Sequence, residues 1–422
     1  MKICVIGLGY IGLPTSVMFA LHDVEVIGVD VNPRVIEMLK SGKIHIEEPG
    51  LQEAYEKVLK NGKFKASLQP EPADAFIISV PTPNADDEYK SCDMSYVMSS
   101  INSILPFLKE RNTIIVESTM APRSMDDYIK PLVQEKGFTI GEDIYLVHCP
   151  ERVLPGQIMH ELIYNNRIVG GITENCTDAG IKVYATFVKG ELIRTNARAA
   201  EMSKLMENTF RDVNIALANE MIQICNDLEI DGMEVIEMAN KHPRVNIHSP
   251  GPGVGGHCLA VDPYFIISKS PQKANLINTA RQINTSMPNY IVSQVLNLVS
   301  NNFGKVTIFG ASYKGNVDDI RESPAIKIYN RLLGIGDLTV EIYDPHVNED
   351  YIEKDLQKAL DDSDLLLILT DHKEFEDLNI KEINLMKTKQ IFDTKNIVKS
   401  YPNDVTYITM GNLFDKIKQL TV

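Results

Sequence analysis

The sequence predicts an α/β protein: two doubly wound parallel sheets joined by a central helical region with one long helix. Three observations carry this. In residues 1–195, short, almost wholly apolar runs alternate with helical stretches, as expected for parallel strands covered on both faces. Residues 197–227 contain no glycine or proline and are rich in Ala, Met, Leu, Glu and Asn, which suits one unbroken helix. From residue 303 onward the strand–helix alternation starts again.

In the first piece, 1–195, the expected strands are Lys2–Ile6, Val24–Asp30, Ala75–Val80, Thr113–Glu117 and Ile144–His148. The second piece, 196–300, holds the long helix, about 45 Å from end to end if it reaches about 30 residues. That exceeds an ordinary domain helix, so it bridges two lobes or pairs with a second subunit, and a homodimer through it is the expectation. The third piece, 301–422, should form the second, smaller sheet from Lys305–Phe309, Leu338–Tyr343, Leu365–Leu369 and Gln390–Phe392.

With 422 residues the chain can bury several cores. Its 44% hydrophobic and 23% charged content is that of an ordinary globular protein. A net charge of −15 argues against nucleic acid or an anionic membrane as main partner, though a local cationic pocket for a small phosphorylated ligand is compatible with it. No run reaches the roughly 18–20 apolar residues of a membrane span. The opening M-K-I-C-V-I-G-L-G-Y has one lysine before its apolar run and no A-x-A site, and reads as a strand entering a turn rather than a signal peptide. Cys4, Cys92, Cys149, Cys176, Cys225 and Cys258 show no C-x-x-C spacing, which points to a reduced cytoplasmic protein with no metal site and no disulfide framework.

Gly7, Gly9 and Gly12 form G-x-G-x-x-G after the first strand and at the start of a helix. There the backbone of Gly7, Gly9, Tyr10, Ile11 and Gly12 can turn tightly and offer N–H groups to a pyrophosphate. Asp30 closes the next strand; its carboxylate can accept from both ribose hydroxyls and would repel a 2′-phosphate, so the expected cofactor is NAD. Arg34 is placed to stack on the adenine. Two more strand ends, V-P-T-P and E-S-T, put Pro81, Thr82 and Thr119 at the carboxyl edge where such sheets bind ligands.

The stretch G-P-G-V-G-G-H-C-L-A-V-D-P at 251–263 surrounds Cys258 with glycine. Bare backbone would let a substrate approach the thiol. A thiolate adds to an aldehyde, the adduct can lose hydride to leave a thioester, and water then releases an acid. Asp262 is placed to position or deprotonate that water. Lys204 and Asn208, at i and i+4 on the long helix, can stabilise an oxyanion as cation and donor. Lys314 and Arg321 flank a turn of the second sheet before Ser323-Pro324, a helix start, and two cations there suit a ligand phosphate.

Taken in order, G-L-G-Y-I-G-L-P, V-P-T-P, E-S-T, C-P-E-R-V-L-P-G, E-M-S-K-L-M-E-N, the Cys258 stretch and Y-K-G-N-V-D-D-I-R-E-S-P resemble the UDP-sugar dehydrogenases over the whole chain. That family oxidises a sugar C6 alcohol to a carboxylate with two NAD. The resemblance implies an N-terminal NAD-binding Rossmann domain, a central helical dimerisation region and a C-terminal UDP-binding domain. It implies Cys258 as nucleophile, Lys204 and Asn208 as the oxyanion pair and Asp262 as acid–base partner. Glu151 would stand near that chemistry, and Thr119 would help hold water and nicotinamide. Arg321 would reach the cofactor and substrate side, and Lys314 the UDP. Arg152 and the backbone of Val153–Gly156 and of Gly253 would line the sugar nucleotide.

One departure narrows the resemblance. UDP-glucose members usually read G-F-G-G-x-C-x-x-K-D, whereas this chain has V-G-G-H-C-L-A-V-D, with His257 before the cysteine and Val261 before Asp262. It is similar to the branch acting on UDP-N-acetylhexosamines. Within that branch, C-P-E-R-V-L-P-G-Q, R-D-V-N-I-A-L-A-N-E and H-P-R-V-N-I look most like the group acting on UDP-N-acetylmannosamine. In that group Arg244 would contact substrate across the dimer, with His242 and Arg211 near the acetamido group. Three other readings stay open: the same oxidation of UDP-N-acetylglucosamine or UDP-glucose, a two-electron hydroxyacid-type dehydrogenase using only Lys204 and Asn208, and a catalytically silent regulator that binds NAD or a UDP-sugar.

Overall fold

The apolar runs near the N-terminus build an eight-stranded sheet from β1 (Lys2–Ile6), β2 (Glu25–Val29), β3 (Phe64–Ser67), β4 (Ala75–Ile78), β5 (Thr113–Val116), β6 (Tyr145–His148), β7 (Arg167–Gly171) and β8 (Leu192–Asn196). The computed structural model describes residues 1–154, 156–299 and 304–421. Strand order is β3-β2-β1-β4-β5-β6-β7-β8. The first six strands run parallel, and β7 turns against β6 before β8 pairs parallel with it. Every residue of β4 and β5 is buried, because helices cover both faces of a doubly wound sheet. The order reverses between β1 and β4, so their carboxyl ends open the crevice where such sheets take ligands.

The second sheet is wholly parallel, in the order β10-β9-β11-β12-β13, from β9 (Gly304–Phe309), β10 (Leu338–Tyr343), β11 (Leu365–Ile368), β12 (Gln390–Asp393) and β13 (Thr406–Thr409). The two sheets share a device. Gly7 and Gly310 follow β1 and β9 with φ of +93° and +95°, a conformation glycine adopts without strain. Asp30 and Asp344 follow the second strands and turn their carboxylates back to the turn amides, Asp30 to Leu8 N–H at 3.0 Å and Asp344 to Ala311 N–H at 2.7 Å. Asp344 is wholly buried and also takes His346 N–H, Val347 N–H and His372. Asp30 is half-buried, which leaves it an accessible face.

The chain forms two compact units. One comprises Met1–Glu207 with Tyr264–Pro271, the other Asn208–Pro263 with the chain from Gln272 onward. The division falls inside the helix Ala197–Asp227, which has the bounds the composition predicts. This helix buries polar side chains beside apolar ones such as Ala218 and Ile222. In the second unit its buried side chains include Asn208, Asp212 and Asn219, while Phe210, Leu217 and Ile224 are exposed. The buried polar groups have partners: Arg281 donates to Asp212 at 2.5 Å, Asn284 to the same carboxylate at 2.9 Å, and Asn219 to Asn284 at 2.9 Å. Such groups must be paired, since an unmatched buried one costs about 1–3 kcal/mol.

Candidate active site

At the end of β1 the chain has no room for a side chain at Gly7 or at Gly12. A Cβ on Gly7 would stand 2.4 Å from the Ser79 carbonyl oxygen, and one on Gly12 would stand 1.8 Å from that of Gly7. A Cβ on Gly9 would meet nothing within 4 Å, so this glycine faces open space. The helix Gly12–Leu21 starts directly after Ile11, and with Leu13 and Thr15 N–H bonded back to Gly9 and Ile11, the turn backbone and the helix dipole are what it offers a pyrophosphate. Tyr10 is about half exposed beside it. Asn32 caps the helix Pro33–Lys40, accepting from the N–H of its second residue, the exposed Arg34. An open cradle, a helix start and an accessible carboxylate fit a dinucleotide. Thr82 and Thr119 come together: the Thr82 hydroxyl donates to the Thr119 carbonyl at 2.6 Å, which spends its proton and leaves its lone pairs. Pro81 is exposed beside it. Gly12→Ala should destabilise the protein by about 3 kcal/mol and abolish NAD binding; denaturant unfolding and a dinucleotide titration would check both.

In the same unit, Glu151 follows β6 at the rim of a cleft of about 330 Å³ lined also by Arg152, Glu161, Arg167 and Glu207. Arg152 pairs with Glu207, and the Glu151 carboxylate accepts from Arg152 N–H and from Arg167. Val153 is half-buried. Gly156 N–H and Ile158 N–H both donate to Glu48, each at 2.8 Å, and pin the following loop. Pro155 lies outside the described residues. Arg167, with 5% exposure, also donates to Glu117 at 3.1 Å, and Glu117 accepts from the Tyr184 hydroxyl at 2.7 Å. Burial pushes the Glu117 carboxyl up to about 7, with Arg167 drawing it down and Glu151 adding to the rise. Burial likewise pushes the neighbouring Cys149 thiol up to about 12, so it stays protonated.

In the second unit, Cys258 lies in the bend that leads into the helix Asp262–Lys269. Asp262 N–H donates to the Cys258 carbonyl at 2.9 Å, setting the two one turn apart. Asn208 donates to the buried Asp262 carboxylate at 2.6 Å. Three of the residues singled out in the sequence thus meet, and Lys204 stands half-buried one turn before Asn208 on the same helix. The glycines do something the sequence reading did not foresee. A Cβ on Gly255 would come within 2.8 Å of Tyr313 and of the Glu322 carbonyl, and one on Gly256 within 2.8 Å of the Tyr313 ring. Gly256 N–H also donates to the Arg321 carbonyl at 3.0 Å. These two glycines are there because the thiol loop lies flat on the 313–324 loop, beyond any need for substrate access. Gly251 N–H donates to Asn219, anchoring the loop at its start, and Gly253, with φ +136°, packs on Pro324.

Arg321 is held by a two-pronged pair with Asp319 (2.9 and 2.7 Å) and is near enough to Cys258 for their charges to interact. Lys314 is exposed, on a loop fixed by Gly315 N–H to Asp371 at 3.0 Å and Asn316 N–H to His372 at 2.9 Å. Ser323 caps the helix Pro324–Leu333. His242, Arg244 and Arg211 are exposed, with His242 accepting from Arg244 N–H at 3.3 Å, and His257 is exposed beside the thiol. Among the described residues, one His and carboxylate group lies within metal-ligating distance: His346, His372 and Glu374. Both ring nitrogens of His372 are already used, by Asn316 N–H and by Asp344 with Ser312. Sequence reasoning missed Arg167, Tyr313, Asn219 and Glu48. It had named Glu117 only inside a motif.

These features define the class, a doubly wound NAD-dependent dehydrogenase with a second α/β domain. The chain belongs to the UDP-glucose/GDP-mannose dehydrogenase family: the NAD binding domain of that family matches residues 1–188, its central domain 198–286 and its UDP binding domain 307–400. The chain is 46% identical over 407 residues to UDP-N-acetyl-D-mannosamine dehydrogenase of Methanococcus vannielii, covering 94% of this chain and 93% of that one. It is 42% identical over 410 residues to NDP-N-acetyl-D-galactosaminuronic acid dehydrogenase of Ralstonia nicotianae, covering 94% and 96%. The solved structure of a Staphylococcus aureus UDP-N-acetyl-mannosamine dehydrogenase superposes with a TM-score of 0.93 at 62% identity, over 99% of this chain and all of that one.

Proposed function

We propose that the protein oxidises the C6 alcohol of UDP-N-acetyl-D-mannosamine to the carboxylate of UDP-N-acetyl-D-mannosaminuronate, through a covalent intermediate on Cys258. The observation that carries this reading is the buried Asn208–Asp262 pair one helical turn from Cys258, on a chain 62% identical to a relative named for that sugar. The Gly7–Gly12 turn and Asp30 would hold NAD, which when bound would supply the hydride acceptor for both oxidations.

The chain's own groups do the rest. Lys204 steadies the C6 alkoxide, and Asn208, with one N–H on Asp262, offers its second to the same oxygen. The Cys258 sulfur adds to the aldehyde carbon and keeps the aldehyde from escaping. Arg321, a cation near that sulfur, favours the thiolate. After the second oxidation a thioester joins the sugar to Cys258, and Asp262 and Glu151 direct water onto it. Lys314 holds the UDP phosphates, and Arg152, Val153 and Gly253 line the sugar nucleotide, with His242 and Arg211 toward the acetamido group. Thr119 orders water and nicotinamide. The domain division that follows is 1–195 for NAD, 196–300 for the central region and 301–422 for UDP.

Relative rates on three sugars test the substrate. UDP-N-acetylmannosamine should exceed UDP-N-acetylglucosamine and UDP-glucose by about 100-fold in kcat/KM, a ratio that a pocket reading one stereocentre and one acetamido group can reach. Equal rates on all three would end the assignment.

The working unit in this reading is a homodimer joined through the long helix, with Arg244 reaching the partner's substrate. Phe210, Leu217 and Ile224 support it: they recur every seven residues on one exposed stripe, at 60%, 47% and 43% exposure. Phe210→Glu should convert the dimer to a monomer in sedimentation; a wild-type monomer at micromolar concentration would contradict the reading. No helix among the described residues is long and apolar enough to cross a membrane, and in this reading the protein acts in the cytoplasm.

A further inference from the structure

Arg167 is one of the most costly side chains in the first unit. A guanidinium with 5% exposure loses most of its hydration, and only paired charges offset that loss. Here two carboxylates share it from opposite sides. Glu117, at 2% exposure, takes one arm of the fork at 3.1 Å, and Glu151, at the cleft, takes the other. The ring of Tyr184 lies under the guanidinium at 4.5 Å, and its hydroxyl fixes Glu117 at 2.7 Å. Tyr184, Glu117, Arg167 and Glu151 thus form a continuous line from the core to the cleft, which Arg167 and Glu151 both line.

A line of this kind aims its final member. A planar fork holds a carboxylate at a fixed angle, which a lysine ammonium cannot do. We propose that Arg167, held from behind by Glu117 and Tyr184, is the positioning residue that fixes the Glu151 carboxylate as the base of the hydrolytic half-reaction. This rests on the role given to Glu151 above. In that step water adds to the thioester carbonyl carbon and gives a proton to Glu151. The carbon–sulfur bond then breaks, the acid leaves, and the Cys258 thiolate takes the proton back.

The test separates hydrolysis from oxidation. Arg167→Lys keeps the charge and loses the fork. Mixed with UDP-N-acetylmannosamine and NAD, it should release two NADH per site in a fast burst and then turn over at least tenfold more slowly than wild type. Because hydrolysis follows both oxidations, kcat/KM should stay within about threefold for both substrates, with KM falling alongside kcat. Acid quenching and mass spectrometry should find the uronyl group on Cys258. A folded Arg167→Lys that turns over normally, or is slow without the trapped adduct, overturns the inference. Glu151→Gln runs beside it. If Glu151→Gln traps the adduct and Arg167→Lys does not, the inference alone fails. If neither traps it, the role of Glu151 fails as well.

Should Arg167→Lys not fold, Glu117→Gln carries the test, because it keeps the shape and the Tyr184 bond. The titratable and charged groups facing the Glu151–Arg167 pair are Glu117, Cys149, Tyr184, Arg152, Glu161 and Glu207. Glu117→Gln loosens the Arg167 fork from behind, so it should also release two NADH per site in a burst, turn over more slowly and leave the uronyl group on Cys258. A folded Glu117→Gln that turns over normally, or is slow with no adduct on Cys258, overturns the proposal.

Discussion

Replacing Cys258 with serine should lower steady-state formation of the uronic acid by at least about 1,000-fold, the scale on which loss of a nucleophile is felt. A hydroxyl is a far weaker nucleophile than a thiolate near neutral pH, and an ester on the serine oxygen would hydrolyse more slowly than a thioester. The variant should still bind both ligands and keep its fold, because the loop is held by Gly251, Gly256 and the Asp262 helix start rather than by the sulfur. Rapid mixing should show at most one or two NADH per site and then a halt. Full turnover would remove the covalent intermediate from the account.

Lys204→Met should reduce kcat by about 100- to 1,000-fold, as loss of an oxyanion partner does, with KM for NAD little changed. Methionine keeps the length and apolar stem of lysine, so the half-buried position stays filled and the helix keeps its propensity. The loss should fall on the oxidation steps, so no thioester should accumulate. That pattern differs from the one expected for Arg167→Lys, and quenched-flow analysis of the Cys258 adduct distinguishes them. A loss confined to sugar binding would assign Lys204 to the ground state instead.

The two ends of legibility are visible in single elements. The helix Ala197–Asp227 could be read to the residue because nothing in it breaks a helix and its flanks change composition. The dinucleotide turn was legible because the glycine spacing follows a strand and opens a helix, and at Gly7 and Gly12 a side chain has no room. β3 escaped because Phe64-Lys-Ala-Ser alternates buried and exposed residues at a sheet edge, unlike the continuous apolar runs. β8 escaped because Leu192–Asn196 is largely exposed, and β7 because an arginine and two glycines read as a loop. β13 is a four-residue edge strand in polar surroundings.

The site divides along the same line. Residue types and spacing singled out Cys258 and Asp262, and the resemblance to the UDP-sugar dehydrogenases gave Lys204 and Asn208 their role. That Asn208 reaches Asp262, 54 positions away, is a fact of folding that spacing cannot carry. Arg167 left no signal, since one sequence shows an arginine in a strand and not the two carboxylates that make its burial tolerable. Gly255 and Gly256 were noticed for a different reason from the one the structure gives them, because Tyr313 lies outside their local sequence.

The count of NADH formed from limiting UDP-N-acetylmannosamine in excess NAD tests the central claim most directly. Two per sugar, with the uronic acid as the sole sugar-nucleotide product, is the result predicted for four-electron oxidation through Cys258. One per sugar, with free aldehyde in solution, would contradict it.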